Sequence, residues 1–120
     1  MPNPVVHFEI LATDGAKAQQ FYADAFGWSI DANNPMQYGV VSPQEGHGIG
    51  GGVAASQPGQ PSGVTVYIEV TDIPAALAKV EAAGGKTVMP ETEIPGMVTF
   101  AQFADPAGNV VGLVKANSMA

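Results

Sequence analysis

The chain repeats itself, and this repeat constrains the fold more than any other feature of the sequence. A strand-like stretch ends at Thr13-Asp14, and a helix-like stretch follows it as far as Gly27. The same order returns at Thr71-Asp72 and ends at Gly85. Since 72 minus 14 and 85 minus 27 both give 58, the strand, the helix and the helix stop share one offset. A fixed offset indicates two copies of one supersecondary unit.

The pattern after each helix predicts three further short strands, so each copy is strand-helix-strand-strand-strand. We expect one domain over 1–120, because a chain of 120 residues has the length of one domain. Module one is placed at about 4–55, a linker rich in Gly, Pro and Gln at 56–63, and module two at about 64–115. The predicted class is therefore α+β, with two tandem βαβββ modules.

Composition limits the classes of partner. The chain has 11 acidic and 4 basic residues and a formal net charge of -7, so we expect no binding to nucleic acid or to anionic membranes. An acidic protein favours neutral or cationic ligands. The absence of cysteine excludes disulfides, thiolate metal sites and cysteine nucleophiles. No signal peptide and no membrane-length apolar run is visible, which predicts a cytoplasmic protein.

The first strand of each module carries polar side chains on one face. Residues alternate between the two faces of a strand, so in Val5–Leu11 the side chains of His7 and Glu9 point away from the apolar positions. These two are candidate catalytic residues, as a base with its orienting carboxylate or as two groups that bind a ligand. The alternative is a polar pair that satisfies itself in a partly wet groove. In Val64–Val70 the corresponding face carries Thr65, Tyr67 and Glu69.

Aromatic residues concentrate in the first module's helix. Helical spacing places Phe21 and Tyr22 in the core and at its rim, and Trp28 is expected in the core or at a dimer contact.

The duplicated βαβββ pattern resembles the vicinal oxygen chelate superfamily, which includes glyoxalase I, extradiol dioxygenases and the bleomycin- and fosfomycin-resistance proteins. The motifs that carry the resemblance are His7-Phe8-Glu9-Ile10, Phe21-Tyr22, Phe26-Gly27-Trp28, Ala82-Ala83-Gly84-Gly85-Lys86 and Asp105-Pro106-Ala107-Gly108-Asn109.

The resemblance implies curved mixed sheets around a shared concave pocket, often completed by a partner, so we expect a homodimer. It also implies four metal-ligand positions, one on each end strand of each module. Here they are His7, Thr65, Gly52 and Gly112. Glycine offers no side chain to a metal, so one position of the four keeps a usual ligand. We predict no metal of the family type and no cofactor. A site rebuilt from His7, Glu9 and His47 is the alternative.

Without a metal, the predicted pocket face still offers an apolar wall with a few polar groups, as small-molecule sites do. The expected ligand-binding residues are Thr65, Tyr67, Glu69, Phe100, Gln102 and, from a loop, His47. The favoured function is binding of a small organic molecule without catalysis, and the carboxylates suit a cationic ligand. The alternatives are a lyase, isomerase or dioxygenase-type enzyme with His7 as base or metal ligand, and a structural dimer without ligand.

Overall fold

The computed structural model of the protein describes residues 2–43, 47–59 and 61–116. Within these residues, two helices and eight strands follow one another in the predicted order, which confirms the α+β class and the βαβββ duplication. The first copy comprises β1 (Val5–Ala12), α1 (Gly15–Phe26), β2 (Ile30–Asp31), β3 (Gly39–Val41) and β4 (Gly50–Ala55). The second comprises β5 (Gly63–Val70), α2 (Ile73–Ala82), β6 (Lys86–Ile94), β7 (Val98–Ala104) and β8 (Val110–Lys115).

The chain divides into two compact units that pair their strands in the same way. One unit holds the described residues of His7–Thr65, and the other those of Met1–Val6 and Val66–Ala120. The strand order is β2-β3-β4-β1 in the first unit and β6-β7-β8-β5 in the second. The pairs β1/β4 and β5/β8 are parallel, and the other pairs are antiparallel. The shared topology supports the repeat, while the division of a single domain at 55 and 64 stays a prediction.

Both helices begin at the aspartates that the sequence indicated. Asp14 accepts a hydrogen bond from the backbone N–H of Lys17 at 3.0 Å, and Asp72 accepts one from Ala75 at 3.0 Å. These carboxylates satisfy backbone donors that a helix start leaves without partners. Helix α1 ends at Gly27, which adopts the left-handed conformation with φ 72°. Helices of 12 and 10 residues result, and neither has the length and hydrophobicity to span a membrane within the described chain.

The second unit has an apolar core between α2 and its strands. Ile73 and Leu77 of α2 are buried, and Ile73 is fully buried. They pack in one cluster with Val70, Ala101 and Leu113, against which Ile68 and Phe103 also lie. Burying such side chains contributes about 1.5–3 kcal/mol each, so this cluster fixes α2 on the sheet.

Helix α1 is held on β4 by close backbone approach rather than by an apolar stripe. A Cβ atom added to the buried Gly15 would lie 2.4 Å from the backbone nitrogen of Ala55. One turn later, Nε2 of Gln19 donates to the carbonyl oxygen of Val53 at 2.8 Å. Phe21 is 57 % exposed, so its predicted place in the core is wrong.

Strand β6 lies at the outer end of the strand order in its unit. Its pairing with β7 shifts register between Thr87 and Met89 and again between Met89 and Thr92. Pro90, which has no backbone N–H to donate, lies within this irregular stretch. The outer strand is therefore bent and has an incomplete row of donors.

We expect Gly15→Ala to lower the free energy of unfolding by about 1–3 kcal/mol, because the new methyl group has to push α1 away from the backbone of β4. Alanine favours helix, so propensity alone would act in the opposite direction. Urea unfolding followed by circular dichroism measures the change. The control Ala16→Ser alters the exposed neighbouring residue and should stay within about 0.5 kcal/mol. An unchanged or raised stability of Gly15→Ala would contradict the close packing.

Candidate functional site

Tyr38, which the sequence analysis did not assign to the site, joins His7 to Glu9. Its hydroxyl oxygen lies 2.9 Å from Nε2 of His7 and donates to Oε2 of Glu9 at 3.2 Å. A phenol has one hydrogen, and Glu9 accepts it, so the network favours a His7 tautomer that donates from Nε2 to the phenol oxygen. An imidazole, a phenol and a carboxylate thus form one hydrogen-bonded chain, here called the tyrosine network. Such a chain can pass a proton between its ends.

A short turn before β3 positions Tyr38. The side-chain amide of Asn34 holds both backbone groups of Tyr38, accepting from its N–H at 2.9 Å and donating to its carbonyl at 2.8 Å. Gln37, just before it, has a positive φ of 52°, which non-glycine residues adopt only where the surroundings fix them. Gln19 of α1 donates to the carbonyl of Gln37 at 3.2 Å. The tyrosine is therefore set by local hydrogen bonds.

The ring of Tyr38 lies against Gly52 of β4. A Cβ atom added to Gly52 would come within 1.9 Å of Tyr38 Cζ and 2.0 Å of its hydroxyl oxygen. Gly52 pairs with Glu9 on one side and with Val40 on the other. Any larger residue at position 52 has to displace the ring and break the tyrosine network. The bare backbone of Gly52 is therefore a condition for this site.

Burial lowers the pKa of the His7 imidazole below its ordinary value, because the charged form loses hydration. His7 is therefore neutral at neutral pH. A neutral imidazole can accept a proton, which a general base requires, and it can act as a hydrogen-bonding group without adding charge. The only formal charge in the tyrosine network is then the negative one of Glu9.

The second unit has a related arrangement around Tyr67. This residue is 6 % exposed, and Nε2 of Gln102 donates to its hydroxyl at 3.2 Å. The ring of Phe100 meets it edge-on at a centroid distance of 6.5 Å. A Cβ atom added to Gly112 would lie 2.2 Å from Tyr67 ring atoms. The structure thus brings together the three predicted residues Tyr67, Phe100 and Gln102, and the ring of Tyr67 lies over Gly112.

Register shows that the two arrangements occupy equivalent positions. Glu9 pairs with Gly52 in the first unit, and Tyr67 pairs with Gly112 in the second. Val40 pairs with Gly52 as Gln102 pairs with Gly112. Tyr38 lies two residues before Val40, and Phe100 lies two residues before Gln102, so both have equivalent positions in their units. The offset between these positions is 62, since 100 minus 38 gives 62. Each unit therefore places an aromatic ring over a glycine at the same point of its sheet, although different strands supply the ring.

The faces of β5 and β7 agree with the predicted alternation. Ile68 and Phe103 pack on the core side, so Tyr67 and Gln102 lie on the opposite face. Glu69 pairs with Val114, shares the face of Tyr67 and is half-buried.

For two predicted site residues, Thr65 and His47, the described part of the chain shows no hydrogen bond or ring contact to the groups around Tyr38 or Tyr67. Thr65 is half-buried. His47 is exposed. Their predicted ligand-binding roles stay predictions.

The side chains present do not fit the metal centre that the resemblance implies. Gly52 and Gly112 occupy its two carboxylate positions, and the space beyond each is filled by a tyrosine ring. Within residues 2–43, 47–59 and 61–116, no three His, Asp or Glu side chains are gathered where they could hold a metal. This holds for the trio His7, Glu9 and His47 as well, so the alternative of a rebuilt metal site finds no counterpart there.

Strand alternation contained a signal for Tyr38. It has the same parity as Val40, so on an extended strand the two side chains share a face. Had β3 been paired with β4 in the observed register, Tyr38 would have fallen on the face of Gly52 and Glu9. A glycine with a tyrosine on the neighbouring strand is a known way to fill space on a sheet.

Comparison with known proteins gives consistent matches. A family model for the glyoxalase/bleomycin resistance protein/dioxygenase superfamily matches residues 5–113. The protein named "Putative glyoxylase CFP32" of Mycobacterium bovis is 35% identical over 115 residues, which cover 91% of this chain and 44% of that protein. The anthracycline biosynthesis protein DnrV of Streptomyces peucetius is 30% identical over 123 residues, with 89% and 45% covered. The chain thus spans about half the length of these curated relatives.

A solved structure is also similar. Methylmalonyl-CoA epimerase from Mycobacterium tuberculosis superposes with a TM-score of 0.67 at 15% sequence identity, covering 92% of this chain and 86% of that one. At this identity the likeness concerns the fold alone.

We expect Tyr38→Phe to lower the free energy of unfolding by about 1–2 kcal/mol, because it removes the hydroxyl that forms hydrogen bonds with both His7 and Glu9. Thermal and urea unfolding measure the loss. Tyr22→Phe is the matched control, since the described structure shows no hydrogen bond to the Tyr22 hydroxyl, and it should stay within about 0.5 kcal/mol. Equal effects of the two variants would rule out a linking role for Tyr38.

The depressed pKa of His7 makes stability depend on pH with a definite sign. His7 of the unfolded chain takes up a proton below about pH 6.5, whereas His7 of the folded chain stays neutral until a lower pH. The free energy of unfolding is therefore highest above that pH and decreases as the pH falls through the folded pKa. His7→Gln should therefore flatten the decline between pH 7.5 and pH 5 in urea-unfolding free energies. The exposed second histidine supplies the control, and His47→Gln should keep the wild-type decline. A steeper decline in His7→Gln would show that the sign is reversed.

Proposed function

The chain belongs to the glyoxalase/bleomycin resistance protein/dioxygenase superfamily, and within that family we propose that it binds a small organic molecule without the metal centre that the resemblance implies. The observation that carries the proposal is the pair of covered glycines. Where the family pattern calls for carboxylate ligands, Gly52 lies under Tyr38 and Gly112 lies under Tyr67. Aromatic rings and hydroxyls at these points suit an organic ligand better than an ion.

The charge of the site favours a cationic ligand. Glu9 supplies a carboxylate that Tyr38 orients, while His7 is neutral. Tyrosine faces attract organic cations by about 0.5–2 kcal/mol, and more as water is excluded. In the second unit Glu69 lies on the face of Tyr67 and is half-buried. The formal net charge of -7 adds a long-range attraction for cations.

One relative's name suggests a ligand class to test. DnrV is named for anthracycline biosynthesis. A flat aromatic cation would present a ring to the tyrosines and a positive charge to Glu9. We therefore propose amine-bearing aromatic compounds as the first ligands to examine.

Thermal-shift titration tests the proposal. An amine-bearing aromatic compound and its uncharged analogue are titrated against the protein, followed by calorimetry for any compound that stabilises it. A ligand of the folded form at one hundred times its dissociation constant adds about 2.7 kcal/mol of stability. We expect the charged compound to stabilise and the uncharged one to do so less.

Charge-removing variants locate the binding. Glu9→Gln or Glu69→Gln should weaken binding of the cation by roughly tenfold, which is the effect of losing about 1.4 kcal/mol. Glu91→Gln removes the same charge at an exposed position of β6 and is the matched control. If all three variants lose affinity for the cation equally, the attraction comes from the net charge of the protein and not from a site at Glu9 or Glu69. Stabilisation by Zn²⁺ or Mn²⁺ that His7→Ala abolishes would overturn the metal-free proposal.

A second candidate function rests on the neutral His7 in the tyrosine network. A half-buried neutral imidazole linked through a phenol to a carboxylate has the features of a general base, which could remove a proton from a carbon beside a carbonyl and return it. Deuterium uptake from D₂O into methylmalonyl-CoA, a substrate class named by one solved structure of the same fold, tests it by mass spectrometry. Uptake lost in His7→Ala but kept in His47→Ala would favour the enzyme.

A further inference from the structure

We propose that Asp31 forms a second anionic subsite on the face of the tyrosine network, so that the first unit prefers elongated organic dications to monocations. The proposal rests on the proposed binding of a cation at Glu9, and it narrows the class of ligand. All the residues that carry it lie in the unit formed by His7–Thr65. Its basis is the register of the four strands β2-β3-β4-β1.

A row of paired residues crosses these four strands. Glu9 of β1 pairs with Gly52 of β4. Gly52 pairs in turn with Val40 of β3, and Val40 pairs with Asp31 of β2. Paired residues point to the same face of a sheet, and the ring of Tyr38 over Gly52 identifies this face as that of the tyrosine network. The carboxylates of Glu9 and Asp31 therefore occupy the two ends of one row on one face.

The length of the row sets the spacing of the two charges. Neighbouring strands lie about 4.8 Å apart, so three steps separate the α-carbons of Glu9 and Asp31 by about 14 Å. A single ammonium group cannot contact two carboxylates at this spacing. Between them lie the ring of Tyr38 and the side chain of Val40, which is 45 % exposed. Two anionic ends with an apolar surface between them match a ligand that has an apolar body and a cation at each end.

The turn that positions Tyr38 also fixes Asp31. Oδ1 of Asp31 accepts a hydrogen bond from the backbone N–H of Asn33 at 2.9 Å, and the next residue, Asn34, holds both backbone groups of Tyr38. Asp31 is exposed, so a ligand can approach it. A carboxylate that is already held in place loses little conformational freedom when a cation binds. An asparagine could accept the same hydrogen bond, so the turn does not require the negative charge.

The repeat shows that the sheet does not require the two carboxylates either. The corresponding row of the second unit begins at Tyr67 and ends at Met89. Since 67 minus 9 and 89 minus 31 both give 58, these residues are the counterparts of Glu9 and Asp31. The same row of the same supersecondary unit thus forms with a phenol and a thioether at its ends. The acidic pair is therefore a property of the first unit and not of the fold.

The first unit does not supply its own cation to this row. Between residues 7 and 65 the chain has one lysine, Lys17, and no arginine. Lys17 belongs to α1 and lines a groove together with Ile10 of β1. Because side chains alternate along β1, Ile10 and Glu9 point to opposite faces, so Lys17 lies on the other side from the row. A ligand with two cationic groups would balance the charges of both Glu9 and Asp31.

Titration calorimetry with N-benzylalkanediamines of increasing chain length tests the proposal. The matched controls are N-benzylaminoalkanols of the same length, in which a hydroxyl replaces the second amine. The decane compound is long enough to span the row, whereas the ethane compound is not. We expect the long diamine to bind about fivefold more tightly than its alcohol, which is the effect of one exposed charge pair, and the short pair to bind equally. The gain should largely vanish between about 0.1 M and about 1 M salt.

Charge-removing variants locate the second amine. Asp31→Asn keeps an oxygen that accepts from Asn33, and it should lower the affinity of the long diamine to that of its alcohol while leaving the alcohol's affinity unchanged. Asp24→Asn removes the same charge at an exposed position of α1 and should change neither affinity. In amide NMR spectra, the signals of Asp31 and Asn33 should shift with the long diamine and much less with its alcohol.

The outcomes separate this proposal from the one on which it rests. If the long diamine and its alcohol bind the wild-type chain equally, Asp31 is not a subsite, while cation binding at Glu9 stands. Equal effects of Asp31→Asn and Asp24→Asn would also overturn the subsite, because the gain would then come from net charge. A chain that binds neither compound would contradict the cation binding itself, and the second subsite with it.

Discussion

Both tyrosine arrangements depend on the lack of a side chain at two glycines. Gly52 and Gly112 expose bare backbone at equivalent points of the two units, and a tyrosine ring rests on each. A tyrosine ring contributes a large apolar area and one hydroxyl, which here reaches polar neighbours. In the first unit those neighbours are His7 and Glu9, and in the second the neighbour is Gln102. At both positions where the resemblance implies a carboxylate ligand, a tyrosine ring therefore lies over bare backbone.

The units solve the same packing problem with different strands. In the first unit the ring comes from the residue before β3, which leaves room on β1 for the carboxylate of Glu9. In the second unit the ring comes from β5, at the position equivalent to Glu9, and Phe100 takes the position equivalent to Tyr38. The first arrangement consequently joins an imidazole and a carboxylate through its tyrosine, whereas the second joins its tyrosine to an amide and a second aromatic ring. A ligand that touches either site would meet different chemistry, despite the common scaffold.

The repeat, the helix caps and the strand faces could be predicted because each depends on local patterns of fixed period. Asp14, Asp72 and Gly27 act as expected, and Tyr67 and Gln102 share a face as alternation requires. The position of Tyr38 in the site was not predicted, because β3 follows the repeat at an offset of 62 instead of 58. The turn that positions Tyr38 also depends on a hydrogen bond from its backbone to Asn34 and on the positive φ of Gln37. The exposure of Phe21 was missed for a related reason. Helical spacing shows which residues share a face of α1. It does not show that Gly15 and Gln19 are the residues that contact β4.

The bent outer strand bears on how the protein behaves near its isoelectric point of about 4.4, where electrostatic repulsion between molecules vanishes. Unprotected sheet edges then tend to add strands from neighbouring molecules and grow into fibrils. A strand that added to β6 could not form a regular row of backbone hydrogen bonds, because β6 has two register shifts and Pro90 has no N–H to donate. The irregular backbone of β6 thus opposes strand addition at this edge under conditions where net charge no longer does.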